Sequence, residues 1–226
     1  MGFAISWLAV SGKEPQQVLD ELGFTRTGES EEFPESPFTC ASLQGGWFLV
    51  FANSFDSPIV SERALSNLSV GCSVVSCQVE EHVMFSSATC HTDGARSWHV
   101  EHDAQEDIYH LVSDGNVPLA FNDIYTSLKK EQDDSGGADA DVDYLHDAPV
   151  ALAKAITSYR HDEDIQDAKT DPFEVLQQQR PTAAKRPARL FAWNAAGLPV
   201  VVERGEEVAF DPLSLERTGP SLRVEP

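Results

Sequence analysis

The chain has 226 residues, 41% of them hydrophobic, enough to bury a sizeable core in one large domain or one domain with a small appendage. Sixteen Lys and Arg stand against 37 Asp and Glu, a net charge of −21 at pH 7, and a field of that sign repels nucleic acid and anionic membranes while steering cationic partners inward. No apolar run approaches the roughly 18 residues that cross a bilayer, and MGFAISWLAVSG lacks the pattern of a secretory signal, so a cytoplasmic protein is expected.

FAISWLAVSG reads as an opening strand in which Phe3, Ile5 and Trp7 alternate; this outweighs the N-myristoylation match at Gly2 and Ser6. KEPQQVLDELG predicts a short helix, with Pro15 in the first turn, Val18, Leu19 and Leu22 on one face and Gly23 as the stop. TRTGESEEFPESP, polar and rich in breakers, is expected to be an exposed acidic loop. FTCASL and WFLVFAN flank QGG as a hairpin, and SPIVSERALSNLSVG predicts a short helix capped by Ser61 and ending before Gly71. Strand residues return in CSVVSCQVEEHVMFSSATC and again in IYHLVSDG. Phe121, Ile124, Tyr125 and Leu128 then mark a helix, and DAPVALAKAITSYRHDE predicts another, with Asp147 near its cap and Leu152, Ile156 and Tyr159 along one stripe.

The fold expected is α+β: a mixed or antiparallel sheet containing hairpins, packed by about four helices, with an extended C-terminal arm. Charge suggests the boundaries, since residues 1–167 hold 8 Lys and Arg against 29 Asp and Glu, whereas residues 168–226 hold 8 of each. An acidic domain over 1–167 is followed by a linker or surface arm over 168–190 and a small β-rich segment over 191–226. The arm carries Arg180, Lys185, Arg186 and Arg189, which suggests that it folds back on the acidic body. FAWNAAGLPVVVERGEEVAFDP reads as two short strands around Gly205.

The densest chemistry lies in CHTDGARSWHVEHD, residues 90–103. Asp93-Gly94 suits a type I′ turn, which pairs Thr92 with Ala95, His91 with Arg96, Cys90 with Ser97 and Thr89 with Trp98. Parity then puts Val83, Phe85, His91, Trp98, Val100 and His102 on one side. Glu80, His82, Met84, Ser86, Cys90, His99, Glu101 and Asp103 fall on the other. His82, Glu101 and Asp103 fall near one another on this polar side, a set that suits either a divalent ion or an ordinary solvated sheet face. Glu80, Glu81, Glu106 and Asp107 crowd the hairpin base, where like charges call for a basic partner or a cation. Asp139, Asp141 and Asp143 have the spacing that opens a calcium loop, but Tyr144 stands where that loop needs glycine and Val150 where it needs the bidentate glutamate. No nucleophile elbow, phosphate loop, dinucleotide fingerprint or H-E-x-x-H motif is present. Cys90 with His99 comes nearest to a nucleophile pair, and the four cysteines read rather as reduced thiols in or near the core.

The segments SWLAVSGKEPQQVLDELGFTRTGE, GGWFLVFAN, QVEEHVMFSSATC and HDAPVALAKAITSYRHDED resemble a family of uncharacterised acidic bacterial proteins over roughly residues 1–176, a resemblance that implies no activity. In general class the chain also resembles small acidic immunity proteins that neutralise bacterial toxins. The leading expectation is a non-enzymatic protein, without cofactor, that binds a basic protein partner and touches neither nucleic acid nor membrane directly. Glu80, Glu81, Glu101, Asp103, Glu106 and Asp107 are its expected contact group, with Asp139, Asp141 and Asp143 as a second patch. The alternatives are a divalent-metal hydrolase using His82, Glu101 and Asp103, and a nucleic-acid mimic filling the cleft of a DNA-binding enzyme.

Overall fold

The computed structural model describes residues 2–166 and 170–179, together with the strands β10 (Leu190–Trp193), β11 (Pro199–Glu203) and β12 (Glu206–Val208). By contact the chain divides into two compact units, Met1–Gln179 and Arg180–Pro226.

The first unit is organised by β1 (Ala4–Ser11), whose Ile5, Trp7 and Ala9 point to one face of a sheet and Leu8 and Val10 to the other, all at most 3% exposed. A strand buried on both faces belongs at the centre of a sheet covered on both sides. Around it the nine strands run in the order β2-β9-β3-β4-β1-β5-β6-β7-β8, every neighbouring pair antiparallel. Their ranges are β2 (Phe24–Glu31), β3 (Phe38–Ser42), β4 (Trp47–Ala52), β5 (Ser73–Glu80), β6 (Phe85–Thr92), β7 (Ala95–Asp103), β8 (Val112–Gly115) and β9 (Phe173–Gln178).

One face is covered by α1 (Pro15–Leu22), which buries Val18 and Leu19, and α2 (Glu62–Leu68), which buries Leu65 and Leu68. Gly23 ends α1 in the left-handed conformation (φ 74°), as the helix stop requires. Ser61 Oγ caps α2 by accepting from Ala64 N at 3.4 Å. The other face carries α4 (Asp147–Thr157) and α3 (Ala120–Asp134); Leu152 and Ala153 of α4 and Phe121 of α3 sit on Trp7, Val79, Ala88 and Val100. The α+β class, the hairpins and the four expected helices are thus observed among the described residues.

Three features differ from expectation. The segment expected as an acidic loop after Phe24 is largely strand β2; Thr25 to Ser30 are exposed because β2 is an edge, so no buried face imposes an alternation. The compact unit passes the 167 boundary, because β9 is inserted between β2 and β3, with Leu176 and Phe173 in the core. Charge statistics cannot register a strand that pairs across more than a hundred positions. The third difference lies in β7 and shapes the site below.

The second unit contains an antiparallel sheet in the order β10-β11-β12, in which Glu203 pairs with Glu206; Gly205 lies outside the described residues. Residues 180–189, with the arm expected to fold back on the body, lie outside the described residues.

Candidate functional site

The Asp93-Gly94 turn forms as expected, both residues at positive φ (49° and 81°), and Thr92 pairs with Ala95 and His91 with Arg96. Beyond that pair the register shifts by one, so Cys90 faces Trp98 rather than Ser97. A β-bulge at Ser97 exchanges the faces of the rest of β7. The reason is burial: Trp98 (5% exposed) and Val100 (0%) join Ala88 and Cys90 in the core on the α4 side. Cys90 therefore does not share a face with His99, whose Nδ1 lies 2.8 Å from Thr89 Oγ1 instead. Burial also raises the Cys90 thiol.

The expected contact residues are spread along one end of the sheet, where a rung runs Ala4, Glu80, Phe85, Asp103. Asp103 is opposite Phe85, not Met84, and lies two strand spacings, about 10 Å, from Glu80. Glu80 Oε1 is 2.6 Å from His82 Nδ1, and this contact holds its carboxyl below the usual range. Glu101 lies 3.4 Å from His99 Nε2, and Asp103 accepts from Gln105 N. The three residues of the hydrolase alternative thus have separate partners. Among the described residues no group of three or more His, Cys, Asp or Glu is disposed to hold a metal ion. Glu81 accepts from Phe3 N at 2.8 Å and Asp107 from Tyr109 N at 2.7 Å, while Glu106 is exposed.

The second acidic patch divides. Asp139 and Asp141 are exposed, but Asp143 turns inward, its Oδ2 2.8 Å from Nε2 of the fully buried His102 and its Oδ1 accepting from His146 N. Buried Gln132 of α3 holds the same loop, donating to Gly137 O and Val142 O and accepting from Tyr144 N. Asp143 is therefore part of the anchor of the α3–α4 connection and not a solvent-facing carboxylate.

A groove that the sequence did not point to opens beside Phe3. Its volume is about 700 Å³; Ile5 and Phe51 belong to its buried wall, while Phe3 and Phe33 stand 40% and 55% exposed. The Phe33-Pro34 turn is held by Glu31, whose carboxylate accepts from Ser36 N and Oγ, and by Asn53, which donates from Nδ2 to Glu35 O. The opposite wall is the turn after α4. There Arg160 binds Asp162 and Asp147 and so fixes His161, whose ring stands edge-on to Phe3 at 4.8 Å.

The rim is acidic. Asp162 is paired with Arg160; burial pushes its carboxyl up, but the guanidinium outweighs this and holds it below the ordinary value. Glu163 is paired with Lys154 at 2.6 Å. Glu35 and Asp164 have no basic partner among the described residues, nor has Glu32 in an adjoining cleft of about 370 Å³. Against protein-family models, curated proteins and solved structures, the chain matches none. No helix among the described residues is long and apolar enough to cross a membrane.

Phe3, Phe33, Glu35, His161 and Asp164 escaped the sequence reading because β1, the 33–35 turn and the 161–164 turn meet only in the fold. The one local signal was Phe33, an aromatic set beside proline in an otherwise polar, acidic stretch.

Proposed function

We propose that this chain is a non-enzymatic acidic binding protein that engages a basic protein, in its most specific form an immunity-type inhibitor of a basic toxin or nucleic-acid-binding protein. The observation that carries the reading is the groove: exposed Phe3 and Phe33 beside carboxylates, Glu35 and Asp164, that no basic group of the described residues neutralises. Aromatic surface supplies residence time once the excess negative charge has steered a cation into place. The sheet-end carboxylates Glu80, Glu81, Glu101, Asp103, Glu106 and Asp107, with exposed Asp139 and Asp141, add to the steering field. Four free, buried cysteines are in keeping with a reducing compartment and hence with the cytoplasm.

The test is affinity capture from the organism that encodes the chain, with the wild type and a Glu35→Lys/Asp164→Lys variant side by side at low and high salt. Recovery of a basic protein by the wild type alone, weakened by salt, supports the reading. Equal recovery by the variant, or capture only of acidic or neutral proteins, overturns it.

A further inference from the structure

Both ring nitrogens of His161 are buried and neither has a hydrogen-bond partner. The ring lines the groove and the adjoining cleft together, at the point where the two meet. A buried polar atom without a partner is costly, and because both nitrogens are closed to solvent, one regains a hydrogen bond only when the partly exposed Phe3 ring packed against His161 gives way to a ligand that supplies the missing group. What the ligand must supply follows from the surroundings. The walls are aromatic and aliphatic, and the unneutralised rim groups are carboxylates, so the complementary group is an N–H-bearing cation on an apolar stem.

We propose that His161 receives the partner's cation: an unprotonated ring nitrogen accepts an N–H from a lysine or arginine side chain whose methylene stem lies against Phe3 and Phe33. This rests on the groove being the binding face for a basic protein. Burial lowers the proton affinity of the ring, which keeps it the neutral acceptor that the contact requires. The charged groups around His161 belong to several elements. Asp162 and Arg160, on its own turn, pair with each other, and Glu81 at the end of β5 receives Phe3 N. His146, at the start of α4, has its own proton affinity lowered by burial and places Nε2 3.2 Å from Phe85 O. Glu163 is held by Lys154, which leaves Glu35 and Asp164 across the groove and Glu32 and Asp171 in the cleft. Protonation of His161 removes the lone pair and sets a positive charge before the incoming cation. Binding is therefore strong when the ring is neutral and falls on acidification.

The probe is a capped peptide of alternating leucine and lysine, compared with the same peptide carrying glutamate for lysine, titrated calorimetrically into the full chain. The lysine peptide is expected to bind more weakly at about pH 5.5 than at about pH 8, by less than the roughly tenfold that a ring with the ordinary proton affinity would give, because burial lowers that of His161. His161→Gln, which keeps an acceptor but does not titrate in this range, is expected to bind near the wild-type level at the higher pH with a flat profile. His161→Phe, which keeps the ring but no lone pair, is expected to be about tenfold weaker at the higher pH. Because either variant can perturb the groove, the ring nitrogen resonances of wild-type His161 are followed by NMR as well, and they are expected to move on addition of the lysine peptide. If the lysine peptide binds while both variants and the His161 resonances behave as though the ring were uninvolved, the inference about His161 fails and the groove reading stands. If neither peptide binds, or the glutamate peptide binds as tightly, the groove reading itself fails.

Discussion

Replacing Asp143 by alanine separates an anchoring carboxylate from a surface one. In the folded protein its side chain is 7% exposed and faces His102, which is 0% exposed, with Oδ2 and Nε2 2.8 Å apart. Nδ1 of His102 lies 2.7 Å from His110 O, and Asp143 Oδ1 also takes the backbone N–H of His146 at 3.1 Å. Truncation leaves a fully buried imidazole nitrogen without its partner, at about 2–3 kcal/mol, and frees a backbone donor at about 1 kcal/mol. The expected loss is therefore about 3–4 kcal/mol, the scale for breaking one side of a buried pair. Asp139→Ala and Asp141→Ala, at exposed positions of the same loop, should stay within about 0.5 kcal/mol of the wild type. Urea unfolding followed by tryptophan fluorescence reads all three on one scale. A loss at Asp143 below about 1 kcal/mol, no larger than at its neighbours, would refute its anchoring role and return it to the acidic surface.

Other consequences follow from burial. His146 and His161 are held below the ordinary value of 6.5 by desolvation, so between their folded values and 6.5 the unfolded chain binds more protons. Stability should fall as pH drops through that window, each ring contributing about 1.4 kcal/mol for every pH unit the window spans; a urea midpoint unchanged between about pH 7.5 and pH 5.5 would contradict this. Burial pushes the Cys40 thiol to about 11 and that of Cys77 to about 12, so neither should react with a thiol reagent at about pH 8 until urea unfolds the chain. Prompt labelling of Cys77 in the native protein would count against its placement beneath α4. Deleting Ser97 removes the extra residue but leaves Trp98 opposite Cys90 and Val100 opposite Ala88, so folding should stay cooperative in thermal denaturation with a loss below ~2 kcal/mol; loss of cooperative folding would contradict the bulge at this position.

Local chemistry was legible wherever a residue acts within its own segment. Pro15, Gly23, Ser61 and Asp93-Gly94 each mark a cap or turn whose requirement is met by neighbours along the chain. The stripe of Phe121, Ile124, Tyr125 and Leu128 was equally readable, because a helix buries one face at a fixed period. The bulge at Ser97 was not, since nothing local distinguishes Ser97 from a regular strand residue; the need to bury Trp98 with Cys90 and Ala88 decides it. Strand β2 was missed because an uncovered edge carries no apolar alternation, and β9 because its partners lie far back in the chain. The same distance hid the groove, whose walls come from β1, the Phe33-Pro34 turn and the turn at His161. The acidic balance was legible as a field, but whether each carboxylate is free, paired or buried depends on its partner, as Asp143 against Asp139 illustrates.

The most direct measurement of the central claim is a residue-by-residue NMR titration of the full chain with the leucine–lysine peptide at low salt. Perturbations centred on Phe3, Phe33, Glu35, His161 and Asp164, fading as salt is added, are the predicted result. Perturbations scattered over the acidic surface with the groove silent would contradict it.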